Sequence, residues 1–373
     1  MPDDPAPSGW PDGFGASAED RRALVILSSL RGITPRNLHR LCWREASAVA
    51  ALASIRAGRG GSEGDREHAL SAEPDGILAA ASAADARFVA PNDPEYPPTF
   101  LHLDDPPVGV FVRGARLDVN ELRVAVVGSR RCSALGREVA RDLGRRIAAA
   151  GACVVSGAAY GIDAASHHGA LDAGGRTIAV LGSGIDQAYP RSSADLIGRI
   201  AVAGTVVSEY APGVPAEAHR FPARNRLIVA LASALVVVEG AGKSGSRISV
   251  DHALDLGREV FAVPGPVTSP LAEVPLALIR EGATLIRGAD DLLADLGVAA
   301  AVDPADPPIE LPDTERRAWV ALIAPSLPDV VARSARLSIP EAVAALIRLE
   351  LRGLVRSVGG RYERTLVGAQ REG

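Results

Sequence analysis

The chain is poor in the residues that most often announce a chemistry. Cysteine occurs three times in 373 residues, at Cys42, Cys132 and Cys153. No CxxC pair or Cys/His spacing suggests zinc, and three thiols cannot build a disulfide framework, so a reduced, cytoplasmic protein is expected. No unbroken apolar run reaches 18 residues, so no membrane helix is expected. The opening MPDDPAPSGWPDGFG is rich in Pro, Gly and Asp, unlike a signal peptide. Lys243 is the single lysine, so the basic residues are otherwise all arginine. A net charge of −5 excludes a uniformly basic polyelectrolyte, and any anion-binding surface must be local. One such place is 123–147, where seven arginines stand against Glu138 and Asp142.

What is present is a repeated pattern. Six apolar, β-branched runs lie at 123–128, 152–157, 177–182, 204–208, 234–238 and 259–265, with helix-like stretches between them. Continuous apolar runs mark strands buried on both faces, which predicts an α/β fold with a mainly parallel sheet. Ligands of such sheets sit at the carboxyl ends of the strands. Here those ends carry GSRR, SGAAYGID, GSGIDQAYPR, SEY, FPARNR, KSGSR and PGP. Backbone donors, hydroxyls and arginines outnumber carboxylates, a composition suited to phosphate.

Taken in order, Gly128, Ser129, Arg130 and Arg131 offer helix-start amides and bidentate guanidinium donors. Ser156, Gly157, Tyr160 and Gly161 form a flat second loop, with Asp163 suited to cap the helix carrying His167 and His168. Gly182 and Gly184 precede Tyr189-Pro190-Arg191, where a cation at a helix start is favoured only if an anion binds. GSGIDQ is not GxGxxG, because its sixth residue is Gln187, and a nicotinamide cofactor is disfavoured. Arg224, Asn225 and Arg226 open another helix, divided between ligand contact and ion pairs to Glu209 or Glu239. Gly242-Lys243-Ser244 is a GKS, continued by Gly245 and Ser246, but Val237 stands where a Walker loop needs glycine. An ATP loop is rejected, while the SGS can still hold phosphate. Tyr160, Tyr189 and Tyr210 lie in these turns, as does Phe221, which is expected in the core. Aromatic rings beside arginines suit a single strand, at ~1–3 kcal/mol of stacking per base. No cofactor or metal is expected. Asp163, Asp186, Glu209, Glu239, His167 and Ser156 could serve catalysis, but no pair has a recognised acid/base spacing.

The flanks read differently. Residues 1–18 are expected to be a disordered tail, and 19–85 a helical domain. Its LRGITPRN turn could form a helix-hairpin-helix with an incomplete glycine pair, although a packing or partner-binding role fits better. Residues 86–121 read as a proline-rich strap leading into the βα units of 122–297. A linker at 298–312 precedes two helices and a Gly-Gly hairpin in 313–365, the order of a winged helix. The second helix, 339–352, is neutral, which suits protein contact or weak DNA binding better than duplex reading.

These turns together resemble the DNA-processing protein A family (DprA, also called Smf) across about residues 93–297. The resemblance rests on YPPTFLHLDDPPVGVFVRG, VAVVGSRRCSALG, VVSGAAYGIDAASHHGAL, TIAVLGSGIDQAYPRSSADL, VVSEYAPG, FPARNRLIVAL, VVVEGAGKSGSRISVDHAL and GREVFAVPG. It implies an extended Rossmann-like, doubly wound sheet at 86–297 between an N-terminal SAM-like domain and a C-terminal winged helix. It further implies non-enzymatic binding of single-stranded DNA, a role in natural transformation (competence), help in loading the RecA recombinase, and homodimers formed through the Rossmann domain. Arg130 and Arg191 resemble the family's DNA-contacting basic residues, and Gly157, Gly161 and the SGS at 244–246 its phosphate-facing turns. The chain departs from the family at Ser249-Val250 and Val274-Pro275. A phosphoribohydrolase-like enzyme would share the sheet, but EGAGKSGSRISVD lacks that group's PGGxGTxxE. General recombination or repair in a non-transformable cell would use the same strand-binding rim. Transcriptional regulation would use the terminal domain.

Overall fold

The computed structural model describes residues 8–117, 121–242, 245–298, 311–322 and 325–365. Five helices lead the chain: α1 (Ala18–Leu27), α2 (Pro35–Glu45), α3 (Ala48–Arg56), α4 (Glu63–Ser71) and α5 (Pro74–Ala83). Serine or threonine side chains start the first four, and Ser62 with Asp65 completes a capping box on α4. Leu24, Leu27, Leu41 and Ile55 form their core with Ala90 and Val108 of the following segment. The packing accordingly divides the chain into Met1–Val298 and Ala299–Gly373, with no boundary at 85.

The expectation of a disordered tail fails for residues 8–17; residues 1–7 lie outside the described residues. Trp10 stacks on Phe14 with ring centroids 4.4 Å apart, and Phe14 is buried. The Gly9 carbonyl accepts from His39 Nε2 (2.8 Å) and Trp43 Nε1 (3.0 Å). Two aromatics four residues apart bury enough apolar surface to anchor a segment that Pro, Gly and Asp would otherwise leave loose.

The proline-rich strap supplies two strands, β1 (Ala86–Val89) and β2 (Val110–Gly114), antiparallel to each other. Then follow β3 (Arg123–Val127), α6 (Ala134–Ala149), β4 (Cys153–Ser156), α7 (Ile162–Asp172), β5 (Thr177–Leu181), α8 (Ala194–Ala203), β6 (Thr205–Ser208) and α9 (Arg220–Ala230). The unit ends with β7 (Ala234–Val237), α10 (Ser246–Asp255), β8 (Glu259–Ala262), α11 (Glu273–Arg280), β9 (Thr284–Leu285) and α12 (Ala289–Asp295). The sheet runs β1-β2-β6-β5-β4-β3-β7-β8-β9. Its six central strands are parallel, as their apolar runs predict, and β2 joins β6 antiparallel.

Successive strand residues point to opposite faces, and both faces are covered. Ala125, Val127, Ile178 and Val180 pack with Leu227, Val250 and Leu278 of α9, α10 and α11. Val124, Val126 and Val154 pack on the other side with Leu143, Ile147, Ile162 and Leu292 of α6, α7 and α12. Each such Val, Leu or Ile side chain, fully buried, contributes about 1.5–3 kcal/mol.

The terminal unit holds α13 (Asp313–Ala321), α14 (Pro328–Ala335), α15 (Ile339–Leu351) and the hairpin β10 (Val355–Val358) with β11 (Arg361–Arg364). The sequence pattern does not reveal α13, whose Trp319 packs against Leu346 and Leu349. Gly359 (φ 59°) and Gly360 (φ 78°) make the two-residue turn, and a Ser326–Tyr362 bridge adds a third edge. The expected linker lies almost wholly outside the described residues.

Candidate nucleic-acid interface

The strand order fixes where the chemistry sits. From β3 the chain winds outward through β4, β5 and β6, then crosses back to β7 on the other side of β3. The carboxyl ends of β3 and β7 therefore flank a topological switch point, with the β4 and β5 loops alongside.

These loops meet. Gly161 has φ +80°, and a Cβ there would lie 2.9 Å from the Arg130 carbonyl carbon, so only glycine lets the second loop lie on the first. The Ile162 amide donates to Ser129 O at 3.3 Å. Arg130 lays its guanidinium over the Phe221 ring, 4.7 Å from the centroid. Phe221 in turn packs against Tyr189, with ring centroids 5.1 Å apart and planes 35° apart. Tyr160 hydrogen bonds to Ser192, next to Arg191. Asn225 Nδ2 donates to Gly245 O at 3.3 Å and so reaches the fifth loop. The result is a half-exposed aromatic stack topped by one arginine, with Arg131 and Arg191 nearby in sequence and exposed. Arg130, Arg131 and Arg191 form no ion pair within 4.0 Å among the described residues, although Arg130 lies close enough to Asp163 to act on its carboxyl. Exposed guanidinium groups around exposed ring faces are a surface for phosphates and bases together.

A second layer of charge lies beneath. Arg224 is buried, donating to Gly157 O (2.8 Å) and to Val180 O. A Cβ on Gly157 would overlap this guanidinium, which is why that loop position is glycine. Burial lowers the Arg224 pKa to about 10, against the pull of Asp163, so the group stays charged at neutral pH. Burial raises the Asp163 carboxyl, opposed by Arg224.

Several sequence expectations need correction. Ser156 faces no ligand: it is fully buried and its Oγ donates to Val126 O at 2.6 Å. Arg224 is the support just described, with no exposed donor face. Arg226 is also support: it donates to Glu209 at 2.7 and 3.0 Å and to Asp105 at 2.9 Å. Burial alone would lower its pKa, but Glu209 and Asp105 more than offset this and hold it protonated. Both arginines lie past the first turn of α9 and on different sides of it, and both are buried because the helix is covered nearly all round, which the sequence did not reveal. Gly157 lies over Arg224 and Gly184 donates its amide to Val214 O, so both are buried in the frame. Gly182 is buried against Phe221, and Gly128 is half-buried beside Ile162. Asp163 does not cap α7 from outside; Gly161 is the N-cap, and Asp163 Oδ2 accepts from the Gly157 amide at 3.2 Å. Ser246 is buried and Gly245 exposed at the start of α10; Lys243 and Ser244 lie outside the described residues.

The candidate catalytic groups are occupied internally. His167 donates Nδ1–H to Thr177 Oγ1 (2.7 Å), whose own proton goes to Val154 O, and burial lowers the ring pKa to about 3. Glu209 serves Arg226. Asp186 accepts from the Gly213 amide at 2.8 Å. No cluster of three or more potential metal ligands occurs among the described residues.

Two more conceivable DNA surfaces have donors engaged by carboxylates. In the α1–α2 turn the amides of Arg31 and Gly32 both donate to Asp65 Oδ1, at 2.9 and 2.8 Å, so a carboxylate fills the place a phosphate would need. In α15, Arg348 and Arg352 turn to the buried Glu315, at 2.8 and 3.0 Å, and the exposed face carries Ile339, Ile347 and Leu351.

Sequence reasoning places Phe221 in the core and passes over Ser192. The signal for Phe221 is its position one residue after Arg220, at a helix start between two sheet loops.

A family model described as DNA recombination-mediator protein A matches residues 87–297, and one described as DprA winged helix domain matches 303–361. Protein Smf of Escherichia coli strain K12 is 38% identical over 288 residues, covering 74% of this chain and 76% of the relative. A putative DNA processing protein DprA of Mycobacterium tuberculosis strain H37Rv is 40% identical over 263 residues, 68% of each chain. Among solved structures, DNA processing protein A from Streptococcus pneumoniae aligns with a TM-score of 0.63 at 31% identity, covering 75% of this chain and 98% of that one. The Helicobacter pylori protein, solved for insight into its single-stranded DNA binding mode, aligns with a TM-score of 0.51 at 29% identity, covering 55% of this chain and 94% of that one. With more than half its length matched and its strand-end motifs assembled on one rim, the chain belongs to the DNA recombination-mediator protein A family, DprA/Smf.

Proposed function

We propose that this protein binds single-stranded DNA along the strand-end rim, without turnover, protects incoming strands in natural transformation and helps load the RecA recombinase. It acts in the cytoplasm as a homodimer. The observation that carries the reading is the Arg130–Phe221–Tyr189 stack with Arg131 and Arg191 beside it, none of the arginines held in a close ion pair among the described residues. Rings with exposed faces favour a strand whose bases are not already paired, because a duplex hides those faces. The relatives' names point the same way, and the engagement of the candidate carboxylates with neighbours inside the frame supports binding over catalysis.

Fluorescence anisotropy with an oligothymidylate and with a duplex of equal length, across salt, tests the proposal. The single strand is expected to bind more tightly, with a log–log salt slope of about −0.7 per phosphate contacted. Arg130→Glu with Arg191→Glu should abolish most of that binding while the circular dichroism spectrum stays unchanged. Equal affinity of parent and double variant at matched salt would remove the interface from this rim. Release of free base from a nucleoside monophosphate would point instead to an enzyme. Displacement of single-strand-binding protein by RecA, measured with and without this chain, reads the loading role.

A further inference from the structure

In an open α/β sheet the helix after the first parallel strand presents its amino end to the switch point, where a mononucleotide phosphate commonly binds. Here that helix is α6, and its start is filled from within. Glu239, the second residue beyond β7, reaches across the switch point. Its Oε2 accepts from the Ser133 amide at 2.8 Å and its Oε1 from Ser133 Oγ at 2.6 Å. Ser133 is the N-cap of α6 and also accepts from the Gly136 amide at 2.9 Å. Gly136 is a glycine for the same reason: a Cβ there would run into the Glu239 carboxylate. The Glu239 carbonyl accepts from the Ser129 amide at 2.8 Å, which fixes the carboxylate beside the loop carrying Arg130. A carboxylate with two hydrogen bonds at the positive end of a 16-residue helix has the charge and the donors a phosphate would take.

We infer that Glu239 is a specificity-determining residue, an internal anion that closes the α6 amino end to free nucleotides and inorganic phosphate. The rim is left to a polymer backbone, which is held from outside by several arginines at once and needs no enclosed phosphate pocket. A like charge held at hydrogen-bond range repels an incoming phosphate strongly, whereas a strand on the exposed rim is shielded from it by solvent. This inference rests on the binding role proposed above and adds to it what the site refuses.

The test uses the full chain as parent, Glu239→Ala and Glu239→Gln. Adenosine monophosphate and inorganic phosphate are titrated by calorimetry, and an oligothymidylate without terminal phosphate by anisotropy. The parent is expected to show no heat with either small anion. Glu239→Ala should bind both at least about tenfold more tightly than the parent, the ratio one displaced charge–charge contact provides. Glu239→Gln, which keeps the hydrogen-bonding shape and loses only the charge, should move in the same direction by less. If Glu239→Ala fails to fold by circular dichroism, the Gln variant alone decides. A parent that already binds adenosine monophosphate as tightly as the folded variants, or folded variants that gain nothing, overturns the inference. The oligonucleotide arm reads separately: a parent that ignores the strand defeats the proposed function, while the contrast in small-anion binding still stands or falls alone.

Discussion

The division between arginines that hold the frame and arginines that face the strand can be tested at Arg226. This guanidinium is 2% exposed and donates to Glu209 Oε1 and Oε2, to Asp105 Oδ1 and, at 3.2 Å, to Ala223 O. Glu209→Leu removes two of the three charge-assisted bonds and leaves the buried cation with Asp105 alone. Breaking one partner out of a buried pair costs about 3–5 kcal/mol, because the stranded charge cannot return to water. For a domain of this size that is a fall of roughly 10 °C in melting temperature. Differential scanning calorimetry of the full chain reads it as a shift in the transition of the unit Met1–Val298, which holds both residues. Glu209→Leu with Arg226→Met replaces the pair by apolar side chains of similar length and should recover most of the loss. Oligonucleotide affinity, measured well below the melting point, should stay within about threefold of the parent in both variants, less than the factor that 1 kcal/mol represents. If instead melting is unchanged and strand affinity collapses, Arg226 is a ligand group and the assignment of frame and face is wrong.

Phe221→Ala should weaken single-strand binding by roughly ten- to a hundredfold, the loss of one stacked base, and Phe221→Leu by nearly as much, since area without a ring face does not stack. Arg130→Ala should lower the magnitude of the salt slope by about 0.7, one phosphate contact, in the same anisotropy series. Gly161→Ala forces a side chain into a backbone conformation costing about 1–3 kcal/mol and displaces the 129–130 turn, so strand affinity should fall together with a drop of a few degrees in melting temperature. Asp65 supplies a pH test. Burial would raise its carboxyl, but the amides of Ser62, Gly32 and Arg31 with the Ser62 hydroxyl lower it below the ordinary value. Its contribution is therefore complete above the unfolded carboxylate pKa, about 3.9, and is lost as pH falls through the folded value. Urea midpoints measured from pH 6 down to pH 3 should converge for the parent and Asp65→Asn, and a constant gap would refute the assignment.

The six central strands were legible because burial on both faces leaves little choice but unbroken Val, Ile, Leu and Ala. The switch point followed from connectivity that βα units impose. Which arginine faces outward was not legible. Arg224 and Arg226 sit two apart in a segment that reads in sequence as an exposed helix start, and only the approach of Gly157, Glu209 and Asp105 from distant segments buries them. Glu239 reads in sequence as a possible acid or ion-pair partner, but its role at a helix beginning 106 residues earlier has no local signature. The anchoring of residues 9–14 had one, the i, i+4 pair Trp10 and Phe14, which composition outweighed.

The guanidinium of Arg224 has a consequence of its own. Arg130, Arg131 and Arg191 stand in solvent, where small ions gather around them and mute their attraction as salt rises. Arg224 lies behind the neutral backbone of Gly157, beyond dissolved ions, and Asp163 is its counter-charge inside the frame. Its charge holds the loops together and adds no pull of its own on a strand, so the grip rests on the three solvent-facing groups and should go on declining as ionic strength rises, without levelling off.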